Sequence, residues 1–240
     1  TNTTGANMTA VGHQALYANT TGSSNVAVGK GAMDANTTGN WNVGLGRNAL
    51  GGNTTADANV AIGHDCMITS STGHSNVAVG YAALHANTDG DGNVAIGYEA
   101  LNDATTANYN NAIGIGALDK ATTGGYNNVL GADAGNGITT GSNNICLGHD
   151  AGRANSPSGN ITTESNVICL GNSNITDLYC ADTSISSSDE RDKTDIEAFN
   201  HGLDWIKKLE PITYRWDKRA WYVDDPDTPQ NEGVPDGSKK

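Results

Sequence analysis

Side chains capable of chemistry are sparse in this chain, and most stand alone. Four cysteines occur, at Cys66, Cys146, Cys169 and Cys180. No two are spaced as CxxC, so a zinc site is not expected. Cys146 and Cys169 fill the same place in two copies of one phrase, Ile145-Cys146-Leu147-Gly148 and Ile168-Cys169-Leu170-Gly171. Alanine fills that place elsewhere, so the pair reads as small apolar residues stacked in neighbouring coils, in preference to a disulfide. His13, His64 and His149 each follow a glycine singly and read as solvated side chains. No metal and no cofactor is expected. Paired carboxylates of the kind that cleave glycosidic bonds do not stand out from the background. The densest cluster is Ser187-Ser188-Asp189-Glu190-Arg191-Asp192-Lys193. On its residues alone it reads as a solvated turn that caps a short helix.

The elements that position these residues come from one repeated phrase. Its clearest copy is Asn76-Val77-Ala78-Val79-Gly80-Tyr81-Ala82-Ala83-Leu84-His85-Ala86-Asn87-Thr88-Asp89-Gly90. The same glycine recurs at Gly12, Gly29, Gly46, Gly63, Gly80, Gly97, Gly114, Gly131 and Gly148, always 17 residues on. An unbroken period of this length marks a repeat architecture.

Each copy divides into three parts. Val77-Ala78-Val79 and Val94-Ala95-Ile96 alternate with period two over β-branched residues, which predicts a strand. The glycine that follows ends it where an unusual backbone angle or a close approach is needed. A small residue and then Leu or Met come next, as at Ala83-Leu84, and predict a second inward-facing segment. A turn rich in Asn, Thr and Gly closes the copy, as at Asn36-Thr37-Thr38-Gly39. One such unit cannot bury its own apolar face, but stacked units can. The repeats are too short and too rich in Gly and Asn for helix pairs. The expected fold is therefore all-β: a β-solenoid or β-roll whose nine coils would span roughly 43 Å. Its core would be thin, built from Val, Ile and Ala stacked coil on coil. The asparagine that opens each strand, from Asn25 through Asn144, is expected to form an amide ladder. The position after the glycine varies in identity and is expected to face outward. The doubled threonines do not suit a flat ice-binding array, because adjacent residues point to opposite sides.

Charge narrows the partners. The net formal charge is −13, and residues 1–187 hold four cations (Lys30, Arg47, Lys120, Arg153) against thirteen acids. No basic patch offers a nucleic acid or an anionic membrane a footing. No apolar run of about 18 residues is present, so no helix is expected to insert in a membrane. Thr1 falls inside a repeat, so the chain is expected to be part of something longer.

The Asn-Val-Ala-Val-Gly unit resembles the head repeats of trimeric autotransporter adhesins, and similar repeats occur in phage tail fibres. The resemblance spans most of residues 8–171 and implies a stacked roll in a homotrimer. The 17-residue period is longer than the usual adhesin-head repeat.

The period breaks at Arg153-Ala154-Asn155-Ser156-Pro157-Ser158-Gly159, where the next glycine, Gly171, comes 23 residues after Gly148. A surface loop on the last coil is expected there. Residues 172–187 read as irregular closing strands and linker. Beyond them charges become dense. Gly202 to Leu209 has helical spacing and ends at Pro211, and Ile212-Thr213-Tyr214-Arg215-Trp216 alternates as a strand. The run from Ser188 through Asp189, Arg191 and Lys193 to Leu209–Trp216 closely resembles the start of the intramolecular chaperone domain of peptidase family S74. That domain lies at the C-terminus of phage tail fibres and tailspikes. Residues 188–240 would be the first, incomplete part of a small α+β domain. The resemblance implies that it helps three chains fold and then cuts itself off between Ser187 and Ser188. Ser188 is the implied nucleophile, Lys193 the implied general base, and Asp189 and Arg191 supporting residues. A serine hydroxyl needs such a base, and a lysine can serve when burial or a nearby cation lowers its pKa.

The reading is thus a repeat domain at 1–171, a linker at 172–187 and a chaperone segment at 188–240. As a whole it predicts a tail fibre or tailspike of an extracellular virion tail. Its partners would be a host cell-surface receptor, glycan or protein, and other virion tail proteins. Its only enzymatic act would be a single-turnover serine–lysine self-cleavage. A bacterial trimeric surface adhesin and a purely structural fibre are the alternatives.

Overall fold

A computed structural model describes residues 2–177. Ten three-residue strands occur in it: β1 (Thr9–Val11), β2 (Val26–Val28), β3 (Val43–Leu45), β4 (Val60–Ile62), β5 (Val77–Val79), β6 (Val94–Ile96), β7 (Asn111–Ile113), β8 (Asn128–Leu130), β9 (Ile145–Leu147) and β10 (Ile168–Leu170). They form one parallel sheet in sequence order. Each residue pairs with its equivalent in the next coil, Val77 with Val94 and Ala78 with Ala95. The fold is the expected all-β solenoid, and the described residues contain no helix. No described helix is long and apolar enough to cross a membrane.

The core differs from the expected one. The middle residue of the strand points inward and is fully buried at Ala27, Ala61, Ala78, Ala95 and Ala112. The flanking Val and Ile point out and are half-buried or exposed. A 17-residue coil encloses room for one long side chain and a few small ones. Leu or Met from the far corner supplies the long one, and Met33, Leu50, Leu84 and Leu101 are fully enclosed. These residues sit in the left-handed region, with φ of 52° at Leu84 and 53° at Leu101. That conformation costs about 1–2 kcal/mol for an L-residue, which the burial of the side chain offsets.

The core keeps its volume when the pattern shifts. Gly135 stands where Leu118 stands one coil earlier, and Ile138 is buried in its place. A Cβ on Gly135 would press on Val129 and Ile138, so the space is already filled. Ile161 fills the corresponding gap above Gly152.

Two asparagine ladders hold the stack together. In the first, Asn42 N donates to Asn25 Oδ1 at 2.9 Å and Asn42 Nδ2 to Ala56 O at 2.8 Å. The pattern repeats up to Asn144. The ladder is there, but its rungs run mainly through the backbone. The second ladder comes from residues that read as turn formers: Asn36 Nδ2 donates to Asn19 Oδ1 at 2.8 Å, and Asn53 Nδ2 to Asn36 Oδ1 at 2.7 Å. It stops at Ser70, where Asn53 Oδ1 and Ser70 Oγ are buried without a hydrogen-bond partner.

The six-residue insertion leaves the sheet unbroken. Ile168 still pairs with Ile145. Residues 153–159 form the expected loop, closed by Ser156 Oγ donating to Arg153 O at 2.7 Å. No strand forms over 172–177, where Ser173 N donates to Asn155 O at 2.8 Å. The remainder of the expected closing stretch, 178–187, lies outside the described residues, as does the helix and strand expected over 202–216.

Candidate functional site

Ser187, Ser188, Asp189, Arg191 and Lys193 all lie outside the described residues. The functional geometry on hand is that of the solenoid surface, which the coil divides into distinct faces.

The turn face is polar, and its hydroxyls are already engaged. In the pairs up to Thr139 the first threonine donates to the next coil, Thr37 Oγ1 to Thr54 O at 2.9 Å and Thr122 Oγ1 to Thr139 O at 3.2 Å. The second, such as Thr38 or Thr106, is exposed. As expected, the pair does not present a flat double array.

The row after the glycine faces outward, also as expected, and is stacked along the axis. The His64 and Tyr81 rings lie 5.5 Å apart, and Tyr81 and Tyr98 5.2 Å apart. Arg47 Nη1 approaches His64 Nε2 at 2.9 Å. Arginine can only donate, so Nε2 accepts and the ring proton sits on Nδ1. That atom lies 3.0 Å from Asp65 Oδ2. On the other flank of the strands, the Tyr109 and Tyr126 rings stack at 5.2 Å.

The strand face itself is apolar. It was missed because period two does not say which residues of a three-residue strand point inward. The signal was the middle position, which is small in nearly every copy.

Near the insertion, Asp133, His149 and Asp150 bring potential ligand atoms together. Arg153 already reaches both carboxylates and offsets part of their charge, its Nη1 3.7 Å from Asp133 Oδ1 and 3.3 Å from Asp150 Oδ1.

Cys66, Cys146 and Cys169 are buried free thiols. Burial pushes the Cys66 pKa up to about 12, against a lesser pull from a backbone hydrogen bond at Ile62. Burial, with Cys169 nearby, pushes Cys146 up to about 11. At Cys169 burial acts in the same direction, but hydrogen bonds from Ser158, Ser156 and Gly152 N outweigh it and lower the pKa. Gly152 N lies 3.1 Å from its Sγ.

Residues 188–233 match the peptidase S74 family, described as the chaperone of endosialidase. No curated protein and no solved structure matches the chain.

Proposed function

We propose that this chain is the repeat section of a homotrimeric viral tail fibre or tailspike, assembled with the help of a C-terminal chaperone segment that then removes itself. The observation that carries this reading is the match to the chaperone of endosialidase at 188–233, in a chain whose preceding residues form a β-solenoid.

The proposed cut needs no outside enzyme. Ser188 Oγ attacks the Ser187 carbonyl carbon while neutral Lys193 Nζ takes the hydroxyl proton. The Ser187–Ser188 C–N bond breaks, and the proton passes to the freed Ser188 amine. Water then hydrolyses the resulting ester, which leaves a Ser187 carboxylate and restores the hydroxyl. Asp189 and Arg191 serve as positioning residues. Each chain turns over once.

The solenoid then belongs to an extracellular virion tail, joined to other tail proteins, where it contacts a glycan or protein on the host surface. Intact mass tests the processing. The full-length chain should end at Ser187, and Ser188→Ala should stay uncut. An uncut wild-type chain would make residues 188–240 a retained cap. Attachment is tested by adding processed fibre to host cells before infection. Reduced virus adsorption is expected, and undiminished adsorption would favour a purely structural fibre.

A further inference from the structure

Apolar side chains are distributed very unevenly over this surface. Among the described residues, all but two of the exposed large hydrophobics (Tyr17 and Ile175) lie on β1–β10 or two residues beyond a strand end. Ile113 is 38% exposed, Leu130 52% and Trp41 64%. No Asp, Glu, Lys or Arg occupies any position of the ten strands. The acids of the solenoid lie on its other faces.

From this we infer that the strand face is the surface on which copies of this chain pack side by side in register, and that Asn111 and Asn128 pin the register. The inference rests on the homotrimeric reading above and specifies which face makes the contact.

Size is the first argument. From β1 to β10 the face runs about 43 Å, and with its flanking rows it is about 20 Å wide. The product, roughly 860 Å², equals one partner's share of a standard interface; its apolar middle, about 430 Å², is as large as the largest patches of ordinary monomers, which are often interaction sites, and the flanking rows also carry Lys30 and Arg47.

Spacing identifies the occupant. The apolar rows repeat at the strand spacing, about 4.8 Å. A partner must offer apolar groups at that interval along the whole length. A second copy does so automatically, and an axis parallel to the solenoid sets each coil beside its own equivalent.

Such a stripe is nearly degenerate. The outward pairs Val26/Val28, Val60/Ile62, Val77/Val79 and Val94/Ile96 differ so little that a slip of one coil costs almost nothing. Asn111 and Asn128 break the degeneracy. They replace the outward Val at the first position of β7 and β8, and both are exposed. Asn111 Nδ2 donates to Asn128 Oδ1 at 2.8 Å. This leaves the Asn128 Nδ2 hydrogens and Asn111 Oδ1 without a protein partner among the described residues. In register, amides of neighbouring copies meet. In a slipped pairing they are buried against Val or Ile and lose their solvation. A single buried Asn selects coiled-coil register in the same way.

Cysteine cross-linking in the full-length chain tests both parts. Ile96→Cys should oxidise to a covalent dimer at least tenfold more than Thr106→Cys on the turn face, with the unsubstituted chain as the control. A trimer that cross-links at Thr106→Cys instead would overturn the inference and leave the homotrimer standing. A monomer by sedimentation would overturn both. Register is read by co-expressing an Ile62→Cys chain with an Ile96→Cys chain, two coils apart. Mixed cross-links should be nearly absent, and should rise several-fold when Asn111→Val and Asn128→Val are added. An unchanged level in that variant would overturn the pinning role. All five positions are exposed, so an unchanged far-ultraviolet spectrum confirms that each variant folds.

Discussion

Ser70 ends a ladder that Asn19, Asn36 and Asn53 build in the coils before it. Its hydroxyl is too short to reach Asn53 Oδ1, so two buried polar atoms go unpaired. Ser70→Asn should supply the missing rung, as Asn53 does to Asn36. The expected gain is about 1–2 kcal/mol in denaturant unfolding, and a loss would mean that the site has no room for the amide. Cys66 makes a pH-dependent prediction. Its thiol titrates near 9.0 when unfolded and near 12 in the fold, so above pH 9 the unfolded chain sheds a proton that the folded chain keeps. Stability conferred by the neutral thiol is complete below 9 and declines as pH rises toward 12, by about 1.4 kcal/mol per unit. Cys66→Ala, the residue found there in most coils, should make the decline shallower when unfolding is compared at pH 8 and 10, and leave the share that Cys146 contributes in the same way. The first asparagine ladder was legible because Asn25 and its equivalents recur at a fixed place before a strand. The second was not, because Asn19, Asn36 and Asn53 sit in a turn that explains their backbone without revealing where the side chain points.

At the scale of the element, the strand–glycine unit was legible down to its boundaries, and its inside was not. Alternation gives two faces, and three residues are too few to tell which is buried. Volume decides: a coil that must also enclose Leu84 or Leu101 accepts Ala and refuses Val. The glycine after the strand was read correctly as a backbone requirement. At Gly80 φ is 140°, and a Cβ would collide with the carbonyl of Gly97 one coil away. Gly80→Ala should therefore destabilise by about 3 kcal/mol or more. Thermal unfolding measures this, and a neutral result would mean that neighbouring coils can separate without cost. The left-handed φ at Leu84 had no sequence signal, since leucine rarely adopts it. Only the stacked coil, which holds the side chain fully buried, makes it tolerable.

For the whole molecule, the period alone gave the solenoid, and the insertion at 153–159 was correctly placed outside the stack because the β9–β10 register survives it. The one-sided apolar face follows from the same geometry: turning Ala inward forces Val and Ile out along every coil. On the proposed homotrimeric reading this face is where copies meet, and a chaperone segment beyond it would provide a way of bringing them together before the face is exposed. Sedimentation of the solenoid tests this most directly. It should be made once from the full-length gene and once from a gene stopped before Ser188. The full-length gene should yield a trimer, and the shortened one monomer or aggregate. The same trimer from both would contradict the account, since the solenoid would then assemble without help.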